Sequence, residues 1–335
     1  MLKKEGRSTA VFENVEVLSA SAFGGKKEGD GPLGKYMDFI AEDAMFGEKS
    51  WEKAETHFFT KASRLAIEKA GLKADDIDYV FGGDLLNQCG ASAYGMREID
   101  VPFFGVYGAC STFGEAVSLA AMTIEGGFAK NTLCTASSHF CAAEKQFRFP
   151  LELGTQRPPS STWTVTGAGS CVLANGNGKP KIRRITTGRV VDMGVKDAAN
   201  MGAAMAPAAA QAIYSHFSDT GLDTDYYDII ATGDLGEVGR ELLRRLLFEK
   251  GIKIDSSLTD CGIEMFDKSS QDTHSGGSGC ACSAVAFCAY FYKLLCDKSI
   301  KRMLLVPTGA LMNTTASQQG ESIPSVAHAV AFEAR

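Results

Sequence analysis

The sequence predicts a duplicated α/β protein in which a layer of central helices lies between two sheets. Three observations carry that reading. Tyr79-Val80-Phe81-Gly82-Gly83-Asp84-Leu85 recurs 150 residues later as Ile229-Ile230-Ala231-Thr232-Gly233-Asp234-Leu235. An acidic run precedes each copy, Asp75-Asp76-Ile77-Asp78 in the first and Asp223-Thr224-Asp225-Tyr226-Tyr227-Asp228 in the second. Helical stretches then alternate with short apolar runs in both halves, the pattern of βαβ units with parallel strands.

In chain order, Trp51 to Ala70 reads as a helix and Tyr79 to Gly83 as a strand, followed by a glycine-rich turn and a small-residue helix. Val101-Pro102-Phe103-Phe104-Gly105-Val106-Tyr107 is short, apolar and bounded by turn signals, as a buried strand is. Ala116 to Met122 reads as a helix packed on a sheet, and Gly126 to Thr135 steps back into a strand ending near Ala136. Turn residues cluster at Gly176-Asn177-Gly178-Lys179-Pro180, which places the joint there and divides the chain into halves 1–176 and 177–335. The second half repeats the plan. A helix spans Gly202 to Phe217, a strand starts at Ile229, and a late helix from Ser283 to Leu295 is buried on most sides. Superposing the halves is expected to bring Asp84 onto Asp234 and the helix after Ser111 onto that after Ser283.

Composition narrows the classes of function. With 335 residues, 45% hydrophobic and 22% charged, the chain buries a large core. A net charge of -6 without any Lys/Arg block argues against a nucleic-acid partner. Met1 to Arg7 is charged with no apolar run behind it, so no secretory signal is expected. Apolar stretches such as Met303 to Pro307 fall far short of the roughly 20 residues of a membrane span. The ten cysteines are therefore expected to be reduced thiols in a cytosol-like compartment. Cys280, Cys282, Cys288 and Cys296 lack the spacing of zinc ligands, with His274 the nearby imidazole, so neither a metal nor a cofactor is expected.

Cys110 is the leading candidate for chemistry. In Gly108-Ala109-Cys110-Ser111-Thr112 it sits between a strand and a small-residue helix. A helix N-terminus favours negative charge, so a thiolate or a docked anion is expected there, at the bottom of a pocket between the halves. The competing reading is a buried structural thiol, which is the reading for most of the other nine. Ser138 and His139 follow a strand, where ligand crevices form in parallel sheets, or else His139 is a satisfied structural residue. A turn cap is expected for Asp234, while Asp84, followed by Asn87 and Gln88, is evenly poised between cap and ligand group. Arg148 and Arg157 flank Phe149-Pro150-Leu151, and are either exposed or supply one carboxylate clamp. Gly276-Gly277-Ser278-Gly279 serves tight packing or close approach of backbone to ligand. Lys26-Lys27-Glu28 reads as a solvated loop.

A strand, then Gly-Ala-Cys-Ser, a buried helix, an internal duplication and a late glycine-rich turn resemble the thiolase-like superfamily, including the β-ketoacyl-acyl carrier protein synthase III group. Further stretches, in order, resemble the stage V sporulation protein AD family of endospore formers over nearly the whole chain. They are Val11-Phe12-Glu13-Asn14, Gly31-Pro32-Leu33-Gly34, Gly83 to Gln88, Gly126 to Lys130, Gln146-Phe147-Arg148, Met205 to Ala210 and Gly276 to Ala284. The resemblance implies a thiolase-like fold, layered α-β-α-β-α with two mixed sheets around central helices. It also implies binding of pyridine-2,6-dicarboxylate (dipicolinate), free or as its calcium chelate, for uptake into the developing spore. The implied partners are the membrane proteins of the same sporulation complex. The implied location is the cytoplasm of a sporulating cell and then the periphery of the spore inner membrane, and superfamily analogy adds a homodimer.

Synthases of the III group place a His and an Asn beside the cysteine to stabilise charge as it develops. The matching positions here are Gly233 and Ser278, while His139 and His328 leave a thiolase-type arrangement open. Three classes therefore stand: a dipicolinate-binding protein with a degenerate thiolase site, which is preferred; an active acyltransferase or condensing enzyme using Cys110; and a scaffold of a membrane-associated assembly. The expected site comprises Cys110, as a vestigial nucleophile, with Ser111, Asp84, Asn87, Ser138, His139 and Ser278.

Overall fold

The computed structural model describes residues 3–148, 151, 157–254 and 257–335. Phe149 and Pro150, between the two flanking arginines, lie outside them. Ten strands form the sheets that carry the site: β1 (Val15–Gly24), β2 (Tyr79–Gly83), β3 (Phe103–Gly105), β4 (Asn131–Ser138), β5 (Gly167–Asn175), β6 (Lys181–Thr186), β7 (Ile229–Thr232), β8 (Leu258–Asp260), β9 (Arg302–Val306) and β10 (Ala329–Glu333). The first five run in the order β1-β5-β4-β2-β3 and the second five in the order β6-β10-β9-β7-β8. The pairing senses also match. In each set three strands are parallel, and the set's last strand in sequence, β5 or β10, is antiparallel to its neighbours.

The two sets touch edge to edge through one pair of residues, Lys181 opposite Glu16. Glu16 also accepts the backbone N–H of Lys179 at 2.7 Å, which fixes the turn where the chain leaves β5 for β6. The N-terminal segment departs from the simple division of the chain. Thr9–Val11 pairs antiparallel with β6, so it belongs to the second sheet although it precedes the first.

The helices fill equivalent places. Outside the first sheet lie α1 (Trp51–Lys69), capped by Ser50, whose side chain accepts from Lys53, and α2 (Gly90–Ile99). Their counterparts are α4 (Met201–Thr220) and α5 (Gly236–Glu249). The latter is charged and amphipathic, not the small-residue helix that the first half suggests, because it turns only Gly236, Gly239, Leu243 and Leu247 inward. Between the sheets lie α3 (Thr112–Glu125) and α6 (Cys280–Ala286). α3 buries Phe113, Ala116, Val117, Ala120, Ala121 and Ile124, and its small residues allow close approach on both sides. Phe113 and Phe332 both pack on Phe287, with centroids 5.8 and 4.4 Å away, which ties the central layer to the second sheet. The late helix starts at Cys280, earlier than its apolar pattern suggests, and passes through a π turn at Phe287–Phe291 before ending at Cys296.

Candidate ligand-binding site at Cys110

The local chain geometry sets Cys110 on a sharp corner. Ala109 takes a left-handed conformation (φ 50°), Ser111 is the N-cap of α3, and Cys110 between them is 7% exposed. Gly309 makes the corner possible from the other side, since a Cβ there would stand 2.0 Å from the Gly108 carbonyl oxygen. Two further thiols hold the loops in place. Cys280 donates to the Ala109 carbonyl at 3.0 Å and Cys282 to the Gly233 carbonyl at 3.2 Å, so both act in packing and positioning.

Cys110 borders a cavity of about 270 Å³. Its apolar surfaces are Leu85, Tyr107, Phe147, Met201 and Met312, and its polar ones are the carboxamides of Asn87, Gln146, Asn313 and Gln318 with the hydroxyls of Thr164, Ser278, Thr314 and Ser317. Among the described residues no charged side chain and no imidazole lines it.

Directly behind Cys110 lies Asp234, 1% exposed. Its carboxyl accepts from the Thr308 hydroxyl at 2.7 Å and from the Gly279 N–H at 3.0 Å, with the Cys110 thiol as a neighbour. Burial pushes its pKa up to about 7, against the opposing pull of Cys110, Thr308 and the Gly279 N–H. Burial, then the neighbouring Asp234 charge, push the Cys110 thiol well above its ordinary value. The expectation of a stabilised thiolate is therefore overturned. A helix terminus carries about half an elementary charge, less than desolvation and a carboxylate impose.

Several expected site residues stand elsewhere. Ser111 is fully buried and donates to the Gly108 carbonyl; Ser138 donates to Val165 O and accepts the Ala281 N–H; neither lines the cavity. His139 caps the short helix Phe140–Glu144, its Nε2 lying 2.7 Å from the Ala44 carbonyl, and borders a separate surface groove. Its pKa is lowered, first by burial, as suits a neutral structural imidazole. His328 lies away from the cavity, bonded to the Gly188 N–H, and burial lowers it to about 4. Asp84 holds its own loop, accepting the N–H of Leu86 and both the N–H and hydroxyl of Ser92. Asp234, expected as a cap of its own turn, instead reaches across to Gly279 and Thr308.

Neither arginine offers a free clamp. Arg148 is paired with Glu144 at 2.6 Å, and Arg157 donates to Thr162 O while lying over the Trp163 ring. Glu28, read as part of a solvated loop, is 1% exposed, accepts the Thr166 N–H at 2.9 Å, and burial raises it to about 7. Cys110, Asn87 and Ser278 are brought to one cavity. Sequence reasoning missed Tyr107, Gln146, Phe147, Thr164 and the stretch Met312 to Gln318. A usable signal was present in that stretch, where amides and hydroxyls crowd into the short helix Thr314–Gln318 and its cap Asn313, just after a strand end.

Gly233, where the resemblance to the synthases led a His to be expected, has no room for a side chain. A Cβ there would lie 2.9 Å from Pro307 Cα and 3.0 Å from the Thr308 nitrogen. Gly279 is equally constrained, with φ 100° and a Cβ position 2.8 Å from Ser138 Oγ, and its N–H is thereby aimed at Asp234 and Cys110.

Two mixed five-strand sets with central helices and a cysteine at the head of one of them define a thiolase-like fold. Solved structures share the architecture. An acetyl-CoA acetyltransferase from Syntrophomonas wolfei superposes with a TM-score of 0.63 at 12% identity, covering 97% of this chain and 100% of that one. The 3-oxoacyl-[acyl-carrier-protein] synthase III of Aquifex aeolicus gives 0.58 at 14% identity, covering 95% and 99%. Residues 6–333 match the profile of the family described as Stage V sporulation protein AD (SpoVAD). The Stage V sporulation protein AD of Bacillus subtilis (strain 168) is 43% identical over 333 residues, covering 99% of this chain and 98% of that protein. The chain belongs to the stage V sporulation protein AD family. No described helix is long and apolar enough to cross a membrane.

Proposed function

We propose that this protein binds dipicolinate in the cavity beside Cys110 and serves its uptake into the developing spore, with the thiolase site retained as a binding pocket and not as a catalyst. The observation that carries this reading is the union of a small cavity having neutral hydrogen-bond donors and apolar walls with a thiol held protonated. A cavity of about 270 Å³ suits a flat ligand of about a dozen non-hydrogen atoms. Tyr107, Phe147, Met201 and Met312 offer surfaces to a ring, and Asn87, Gln146, Ser278, Asn313 and Gln318 offer donors to two carboxylates. Cys110 contributes shape and a weak donor. Asp84, Ser111, Ser138 and His139 hold the surrounding loops.

In this reading the halves 1–176 and 177–335 meet at the site, and the protein works at the periphery of the spore inner membrane with the membrane proteins of its complex. Loss of catalysis follows from three features. Burial and Asp234 raise the pKa of the thiol, Gly233 leaves no room for an imidazole, and Ser278 stands where the resemblance to the synthases led an Asn to be expected.

Calorimetric titration with dipicolinate tests the assignment. Wild-type protein is expected to bind one equivalent, Cys110→Ala to bind about fivefold more weakly, and Cys110→Trp to bind nothing because the indole fills the cavity. Wild-type affinity in folded Cys110→Trp places the ligand elsewhere. Incubation with an acyl-thioester followed by intact mass measurement is expected to leave Cys110 unmodified; acylation and turnover favour the condensing enzyme instead.

A further inference from the structure

Asp234 lies behind the cavity wall and does not line it, yet both of its carboxyl oxygens are held. Its Oδ1 is fixed by Thr308 and its Oδ2 by the Gly279 N–H, at 2.7 and 3.0 Å. Gly279 and Cys110 border the same cavity, and the carboxyl that takes the Gly279 N–H is also the charged neighbour that acts on the Cys110 thiol. A backbone N–H beside a nucleophilic sulfur at a helix head is the kind of donor that stabilises a thiolate or an oxyanion. Here an internal carboxyl takes it.

We propose that Asp234 is the positioning residue that keeps Cys110 silent: it fills from inside the anion-binding place that a thiolate or an acyl oxyanion needs. This rests on the reading of the site as a non-catalytic pocket and names the residue that makes it so. The magnitudes agree with the geometry. The α3 terminus offers about half an elementary positive charge to the sulfur, whereas ionised Asp234 presents a full negative charge in contact with it. The pair releases its first proton from the carboxyl and keeps the second on sulfur. The other titratable groups around the pair are Cys280 and Cys282 on α6, Asp260 and Cys261 at the end of β8, and Tyr107 at the cavity wall. None of them supplies a cation.

Alkylation by iodoacetamide, followed peptide by peptide in the mass spectrometer from pH 6 to 10, tests the assignment. In that reaction the sulfur–carbon bond forms as carbon–iodine breaks, iodide departs and the thiol proton goes to solvent. Asp234→Asn keeps the shape and removes the charge. The Cys110 peptide is expected to label at least tenfold faster at pH 8 than in wild type, with the midpoint of its rate profile at least one pH unit lower, since each unit is tenfold in thiolate. Thr308→Ala, which removes one anchor but keeps the carboxylate, is expected to stay within about threefold of wild type. Cys134 and Cys288, buried in the sheet and central layer, report on loosening. An unchanged Cys110 profile in Asp234→Asn overturns the proposal, and so does a rise shared by Cys134 and Cys288, which makes the role structural. A Thr308→Ala rate as high as that of Asp234→Asn also counts against the charge. Because labelling involves no dipicolinate, failure of wild-type protein to bind that ligand leaves this test intact.

Discussion

Asp84 and Asp234 hold the same place in the two repeats and make opposite connections. Each is buried at the C-terminal end of its strand, yet Asp84 bonds to the segment that follows it, through Leu86 and, at the start of α2, Ser92, while Asp234 bonds Thr308 and Gly279 in other parts of the second half and neighbours Cys110 of the first. Duplication supplied the carboxylate twice. Only the second copy was placed against the thiol.

This difference gives a stability prediction for Asp84. Three donors converge on its carboxyl inside the protein, at 2.8, 2.7 and 2.6 Å, and removing the acceptor leaves the N–H groups of Leu86 and Ser92 unsatisfied, while the Ser92 hydroxyl keeps the Cys89 carbonyl at 3.2 Å. Asp84→Ala is expected to cost about 2–4 kcal/mol in urea unfolding. A cost below about 1 kcal/mol means that the loop finds other acceptors.

The duplicated plan was legible in the sequence because each half repeats the same order of apolar runs and helices around a Gly-Asp-Leu turn. The corner at Cys110 was legible for a similar reason, since a strand followed by small residues can only turn there. What a single pass along the chain does not reveal is partner choice. Thr9–Val11 looks like any short strand, and its pairing with β6 is fixed by contacts about 175 residues away. The cavity wall formed by Gln146, Phe147 and Met312 to Gln318 has no periodicity of its own. It becomes a wall only when the turn at Gln146 and the short helix Thr314–Gln318, far apart in sequence, meet beside Cys110. Charge was misjudged for the same reason: Glu28 and Asp234 look solvated or locally capped until the fold buries them.

A second prediction concerns which polar groups meet the ligand. Gln146 lines the cavity, whereas the Ser111 hydroxyl is turned away to the Gly108 carbonyl at 2.7 Å. Gln146→Ala is expected to raise the dipicolinate Kd by about 10- to 150-fold, the worth of one hydrogen bond to a charged acceptor. Ser111→Ala is expected to leave Kd within about twofold while lowering stability by about 1 kcal/mol. Calorimetry and urea unfolding on the same samples check both, and the reverse order of effects on Kd places the ligand deeper, against the head of α3.

Gly233 yields a third. If the site has been retired by shape as well as by charge, supplying the missing imidazole does not revive it, because a Cβ at 233 meets backbone at 2.9 and 3.0 Å. Gly233→His is expected to lower the midpoint of unfolding by several degrees and to show no condensation of an acyl-thioester with a second acyl substrate. Activity gained on this single change shows that the loop yields more readily than its packing implies.

Asp234 also makes stability depend on pH. Its folded value of about 7 lies above the ordinary 3.8, so the native protein keeps a proton that the unfolded chain gives up. Its contribution is fully present below about pH 4 and is lost as pH rises toward 7. Relative to Asp234→Asn, wild type is expected to lose about 2–3 kcal/mol between pH 5 and 7, at up to about 1.4 kcal/mol per unit. Glu28, which behaves in the same direction, is present in both proteins and cancels. Parallel slopes in the two proteins would rule out a raised Asp234.

The last prediction joins that proton to the ligand. A dianion entering a cavity that has no cationic side chain among the described residues meets a carboxyl just behind Cys110, and the two negative charges repel across a low-dielectric wall. Bound dipicolinate therefore favours the protonated form of Asp234 and raises its pKa further above 7. Below pH 7 the proton is already in place and affinity is nearly constant. Above pH 7 the proton must be taken up with the ligand, so Kd is expected to rise by up to about tenfold per pH unit until the pKa of the complex is passed. Calorimetry at pH 8 in two buffers of different ionisation enthalpy measures the uptake directly, as a difference in apparent heat corresponding to a fraction of a proton approaching one. Asp234→Asn is expected to abolish both the uptake and the loss of affinity between pH 7 and 9. A Kd independent of pH in wild type, with equal heats in both buffers, separates the ligand from Asp234 and removes the electrostatic part of the binding argument.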